Sequence, residues 1–209
     1  MIPLSTYALF LASCFAFVVV PGPNHLYITA RAVSQGRPAG LASALGVETG
    51  TLLHIAAAAA GLSYLVARSM VLFNVVKWAG VGYLCYLGVR ALLRRHEAEE
   101  RVAAEPSQPL SAVFFEGVVV NVLNPKVILF FLAFLPQFVD PAAGAVPAQT
   151  VVLGLTLFTV GLTVDTVYAV GAGAVGARLR GRARLLGRVS GVVYLALGVV
   201  TAFGSARPS

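Results

Sequence analysis

Apolar residues run along this chain in windows of about twenty, the length at which a helix crosses a bilayer. Six helices are predicted: Leu4 to Val33, Ala39 to Ala67, Met70 to Leu93, Ser111 to Phe138, Ala148 to Ala177 and Leu185 to Phe203. One long charged stretch, RRHEAEERVAAEPSQP from Arg94 to Pro109, separates the third from the fourth. The expected fold class is all-α: a polytopic membrane protein, with residues 1–209 forming one transmembrane domain. The connection, about 94–110, divides it into halves of about 4–93 and 111–204, with three helices each. An odd number of spans per half sends the halves into the bilayer from opposite faces, as in an inverted repeat.

A repeat shows its features twice, and two of the windows are interrupted. The first carries Pro21-Gly22-Pro23-Asn24; the fourth carries Asn121, Asn124, Pro125 and Lys126. Proline removes a backbone donor and clashes with the preceding turn, and the residue before it leaves helical geometry. At the helical rise, both breaks fall about 20 Å from their points of entry, near mid-membrane. Unsatisfied backbone groups in hydrocarbon cost several kcal/mol each, so such breaks persist only when buried in protein or lining a wet cavity. Asn24 and Asn124 are placed to cap the restarting helices. Helix starts present N–H groups and positive dipole, which suits an anion such as a carboxylate. The two breaks are expected to meet around one polar binding site.

Ionisable residues inside the spans are expensive and mark function by default. Glu48 and Asp165 lie in the second and fifth helices, counterparts in the two halves. Each is followed by threonine and preceded nearby by glycine. They read as a carboxylate pair able to bind an amine or to carry a proton. Lys126 could pair with one of them or receive a substrate carboxylate. Glu116 lies close enough to its membrane face to reach water. His54 reads as a packing residue, and Lys77-Trp78 as an interfacial anchor. Gly46-x-x-x-Gly50 and Gly187-x-x-x-Gly191 read as helix-packing faces.

Composition narrows the class. The 209 residues are 58% hydrophobic and 11% charged, too few polar groups to cover a soluble domain. The net charge of +7 does not point to nucleic acid, because the arginines sit at the ends of apolar segments. Arg31, Arg37, Arg90, Arg94, Arg95, Arg101, Arg178, Arg180, Arg182, Arg184 and Arg188 follow the odd-numbered helices, against Arg68 and Arg207 on the other face. These arginines read as membrane-surface anchors, and the positive-inside rule then puts both termini outside. Cys14 and Cys85 read as small buried hydrophobes. The N-terminus reads as a retained first helix. No hydrolase, metalloprotease or paired-cysteine motif occurs, so the chain is not expected to be an enzyme and no cofactor is implied.

Four stretches together resemble the LysE/RhtB-type amino-acid exporter family. They are PGPN (Pro21 to Asn24), the glycines Gly36, Gly40, Gly46 and Gly50, KWAGVGYLCYLGVRALL (Lys77 to Leu93) and FFEGVVVNVLNPKVILFFLAFLPQFV (Phe114 to Val139). The likeness covers nearly the whole chain, and the last stretch is specific. It implies six helices, amino-acid export across a bacterial cytoplasmic membrane, proton antiport and a homodimer. The basic stretch Arg178 to Arg188 and the connection between helices three and four are not signatures of that family. The sequence reading is thus a secondary exporter of small amino acids or close derivatives. The substrate carboxylate would meet the breaks, and its ammonium Glu48 or Asp165. An ion or metal exporter of related architecture is the alternative; it would want clustered His, Cys or carboxylates.

Overall fold

The computed structural model describes residues 2–68 and 107–181, with isolated helical positions between 75 and 89 and between 192 and 202. Apart from those positions, the predicted third and sixth helices lie outside the described residues. So do Lys77, Gly187-x-x-x-Gly191 and residues 94–106 of the connection. The described elements are all helical.

Both predicted interruptions are real. The first window divides into α1 (Leu4–Val19) and α2 (Pro23–Gln35), bent by 50°. The fourth divides into α4 (Leu110–Val122) and α5 (Pro125–Leu129). Beyond α5 the chain continues through a wide π turn (Phe130–Phe134) and a 3-10 turn (Leu135–Phe138), and this bend measures 46°. Each restart places proline at the first helical position, where its missing N–H costs nothing. Between the bent pairs in sequence lies α3 (Arg37–Arg68), and α6 (Val146–Gly181) follows. Both are long and apolar enough to cross a membrane, as is each bent pair taken as one span. A single residue, Gly36, joins α2 to α3; its φ of 86° lies in the left-handed region that only glycine enters freely.

Small residues set the packing. Along α3 and α6, Gly40 faces Ala169, Glu48 faces Gly161 and Ile55 faces Gly154. The two helices therefore run antiparallel in constant register. Along α3 and α4, Gly46 meets Phe114, Val47 meets Gly117 and Gly50 meets Asn121, so these two run parallel. A methyl group at Gly46 would collide with the Phe114 carbonyl and one at Gly50 with the Asn121 side chain, so the expected Gly46/Gly50 packing face is a close contact with α4.

The outward faces carry Leu45, Phe115, Leu123 and Val167, all exposed, as suits a lipid surroundings. Inside, Phe10, Phe17, Phe130, Phe134 and Phe138 form an aromatic core between α1 and the end of the fourth span. Phe10 meets Phe138 at 5.0 Å between centroids, and Phe17 meets Phe130 at 4.5 Å. A smaller cluster of Ile28, Ala44, Val47 and Ala169 packs where α2, α3 and α6 meet.

Candidate functional site

The two breaks touch. Asn124 Nδ2 donates to Asn24 Oδ1 at 2.8 Å, one hundred positions apart in sequence. Around this contact lies a cavity of about 40 Å³, room for roughly two or three waters. Gly22, Asn24, Asn121, Asn124 and Lys126 line it, from both breaks. Glu48 and Asp165 reach it from the two unbroken helices. Both carboxyls are buried. Pro21, Pro23 and Pro125 shape the breaks through the backbone alone.

The capping roles differ between the halves. Asn124 caps as its position predicts: its Oδ1 accepts from Lys126 N at 3.0 Å. Asn24 does not cap. The N-cap of α2 is Gly22, and Asn24 sits inside the first turn, which turns its side chain across to Asn124. The capping contact comes instead from His25, whose Nδ1 accepts from Gly22 N at 3.3 Å.

Lys126 reaches across to the first break. Nζ donates to the carbonyls of Phe17 at 2.9 Å and Val20 at 3.0 Å, and stands 4.4 Å from the centre of the Phe17 ring. These carbonyls are the ones the first break leaves without helical partners, at the negative end of α1. Lys126 of one half thus satisfies the broken helix of the other. In the second break the Asn121 carbonyl lies 3.4 Å from His54 Nε2, and the His54 ring stacks on Phe131.

Two buried groups escaped sequence reasoning as site residues. His25 is 6% exposed, with Nε2 3.3 Å from Asp165 Oδ1 and its ring 4.4 Å from that of Tyr168. Its position directly after PGPN was the available signal. Arg31 is 2% exposed and is no surface anchor. Nη2 donates to Glu116 Oε2 at 2.6 Å, so Glu116 does more than reach water. Tyr27 OH bridges the Val113 carbonyl at 2.6 Å and Glu116 Oε2 at 3.3 Å. Here the missed signal was register: Arg31 follows Tyr27 by one helical turn, on the face that meets α4.

Unsatisfied acceptors face the cavity. Among the described residues, Glu48 Oε2 and Asn121 Oδ1 find no hydrogen-bond partner. Leaving a buried acceptor unmet costs about 1–3 kcal/mol. The nearby Thr51 hydroxyl accepts from Asn121 Nδ2 at 3.3 Å, which orients the amide so that its oxygen is left over.

A family model described as LysE type translocator matches residues 15–205. The chain belongs to that family. Among curated translocators it is similar to the leucine efflux protein of Salmonella typhimurium (strain LT2), 34% identical over 151 residues, covering 72% of this chain and 71% of the relative. The homoserine/homoserine lactone efflux protein of the same strain is 30% identical over 184 residues, covering 87% and 88%. The leucine efflux protein of Salmonella typhi matches at the same 34% over 151 residues. No solved structure matches the chain.

Proposed function

We propose that this protein is a secondary exporter of small amino acids or close derivatives, driven by proton antiport across the bacterial inner membrane. The observation that carries this reading is the Asn24–Asn124 contact, where two broken spans meet over a buried carboxyl pair. An irregular backbone at membrane depth is tolerated where it is buried in protein or lines a cavity, and here residues of both breaks line one cavity. The relatives named for leucine and homoserine efflux point to the same substrate class.

A zwitterion fits the donors and acceptors on hand. Its ammonium goes to Glu48 Oε2 and Asn121 Oδ1, the two unmet acceptors. Its carboxylate goes to the first turn of α2 and the Asn24 amide. Lys126 lines the cavity and holds the first break in shape through the Phe17 and Val20 carbonyls. Two carboxyls buried on one small cavity are held from ionising together, so an empty Glu48–Asp165 pair stores a proton and an arriving ammonium displaces it. One proton moving inward yields about 2.3 kcal/mol per 100 mV of membrane potential.

The cavity is too small for an amino acid in this conformation, so loading requires the halves to rock apart. The six spans form two inverted three-helix repeats in this reading, with both termini outside and the arginine-rich loops in the cytoplasm. The parallel run of α3 and α4 and the antiparallel run of α3 and α6 fit that arrangement. The family resemblance adds a homodimer.

Inverted vesicles with an acidic interior provide the test. Labelled leucine, homoserine and other amino acids are offered alongside divalent cations. Gradient-driven uptake of an amino acid, lost in Glu48→Gln and Asp165→Asn, is the expected result. Uptake of a cation and of no amino acid would favour the ion exporter. Undiminished uptake by both variants would remove the carboxyl pair from the mechanism.

A further inference from the structure

His25 faces the cavity, yet neither the substrate scheme nor the proton scheme above uses it. Gly22 N–H donates to Nδ1 at 3.3 Å, so Nδ1 carries no hydrogen. A neutral ring then carries its proton on Nε2, the atom 3.3 Å from Asp165 Oδ1. One nitrogen therefore holds the backbone where α1 and α2 part, and the other faces the carboxyl pair. Tyr168, one turn beyond Asp165 on α6, covers the ring at 4.4 Å and fixes its plane.

Among the described residues Nε2 makes no hydrogen bond in this conformation, although Asp165 Oδ1 stands 3.3 Å away, and an ionised Asp165 draws Nε2–H into one more strongly than a neutral one does. Loading the pair with a proton or an ammonium therefore changes the pull on the ring. The ring passes the change to Gly22, the hinge of the 50° bend. We propose that His25 is the positioning residue through which the state of the Glu48–Asp165 pair sets the angle between α1 and α2. This rests on reading the cavity as the transport site. Among the described residues, the charged and titratable groups around the pair are His25 from α2, Lys126 from α5 and Tyr168 from α6 itself.

A capping role alone is the simpler account, and two substitutions separate it from the proposal. In His25→Asn the amide oxygen takes the place of Nδ1 and keeps Gly22, but nothing reaches Asp165. In His25→Gln the longer side chain can hold Gly22 and still point an amide N–H at Asp165; a glutamine at this helix position is itself a capping-box residue. The readout is labelling of Val18→Cys, which lines the cavity, by a membrane-impermeant maleimide in inverted vesicles after Cys14 and Cys85 are replaced by Ala. Because the thiolate is the reacting form, each rate is divided by that of the same cysteine in the detergent-denatured protein at the same pH. With His25 in place, this ratio should change about tenfold from acid to alkaline pH, a typical coupling between linked sites. His25→Asn should flatten that response and His25→Gln should retain it. A full response in His25→Asn, or none with His25 in place, overturns the proposal.

Uptake of labelled leucine in the same vesicles keeps the two readings apart. Proton-driven uptake together with a full pH response in His25→Asn leaves export standing and removes the coupling. A pH response lost in His25→Asn, without movement of any amino acid, does the reverse. Should His25→Asn fail to reach the membrane, nitrogen NMR of the native ring decides, with His54 and His96 replaced by Gln for assignment. The Nε2–H tautomer supports the link. The Nδ1–H tautomer breaks it, because Gly22 then has no acceptor.

Discussion

At the scale of single residues, the two asparagines look equivalent in sequence and differ in what they hold. Asn124 accepts from Lys126 N and donates to Asn24, whereas Asn24 shows only the second contact. Asn124→Ala should therefore cost about 2 kcal/mol, a lost cap plus a lost buried hydrogen bond. Asn24→Ala should cost about 1 kcal/mol, the hydrogen bond alone. Thermal unfolding in detergent measures the difference; equal losses would mean that the cap contributes nothing. Lys126 carries a similar lesson. Its charge in an apolar span reads as functional on cost alone. Two carbonyls freed by the partner break also take hydrogen bonds from it.

At the scale of elements, close approach of backbones replaces the apolar driving force that lipid cannot supply. Gly46 lies against the Phe114 carbonyl, with no room for a methyl group. Gly61, on the same helix, has no described residue within 4 Å of where a methyl would stand. Gly46→Ala should push α3 from α4 and destabilise by about 1–3 kcal/mol. Gly61→Ala should be neutral or stabilise by up to about 1 kcal/mol through helix propensity. Denaturation midpoints of the two variants check the contrast, and matching midpoints would contradict the packing described here. The other ties between elements are polar. Arg31, Glu116 and Tyr27 hold α2 to α4, and Gln35 Oε1 accepts from Gln108 N at 2.8 Å just beyond. Phe17 of the aromatic core lines the cavity, and the Arg31–Glu116 ion pair ties α2 to α4 further along α2.

At the scale of the whole molecule, the orientation rests on the arginine distribution. With both termini outside, an alkaline phosphatase fused at the C-terminus should be active, and a fluorescent protein fused there should stay dark. A fusion near Glu97, in the charged connection, should give the opposite pair of signals. Activity of the phosphatase at Glu97 would invert the topology, and with it the direction in which the proton and the substrate move. The shape of the cavity does not depend on this, because the contacts that build it are internal.

Much of this was legible in the chain. The windows Leu4 to Val33 and Ser111 to Phe138, their breaks at Pro21 and Asn124, the pairing of Glu48 with Asp165 and the packing role of Gly46 all follow from local physics. Helix length, proline sterics, the cost of buried charge and the volume of glycine can be read without a partner in view. Tertiary structure decided whatever depends on what stands opposite. It turned Asn24 from a cap into a bridge, gave Lys126 to the carbonyls of Phe17 and Val20, buried Arg31 against Glu116 and brought His25 to Asp165. A buried donor or acceptor takes the partner that geometry brings within about 3 Å, and that partner lies on another helix, far away in sequence.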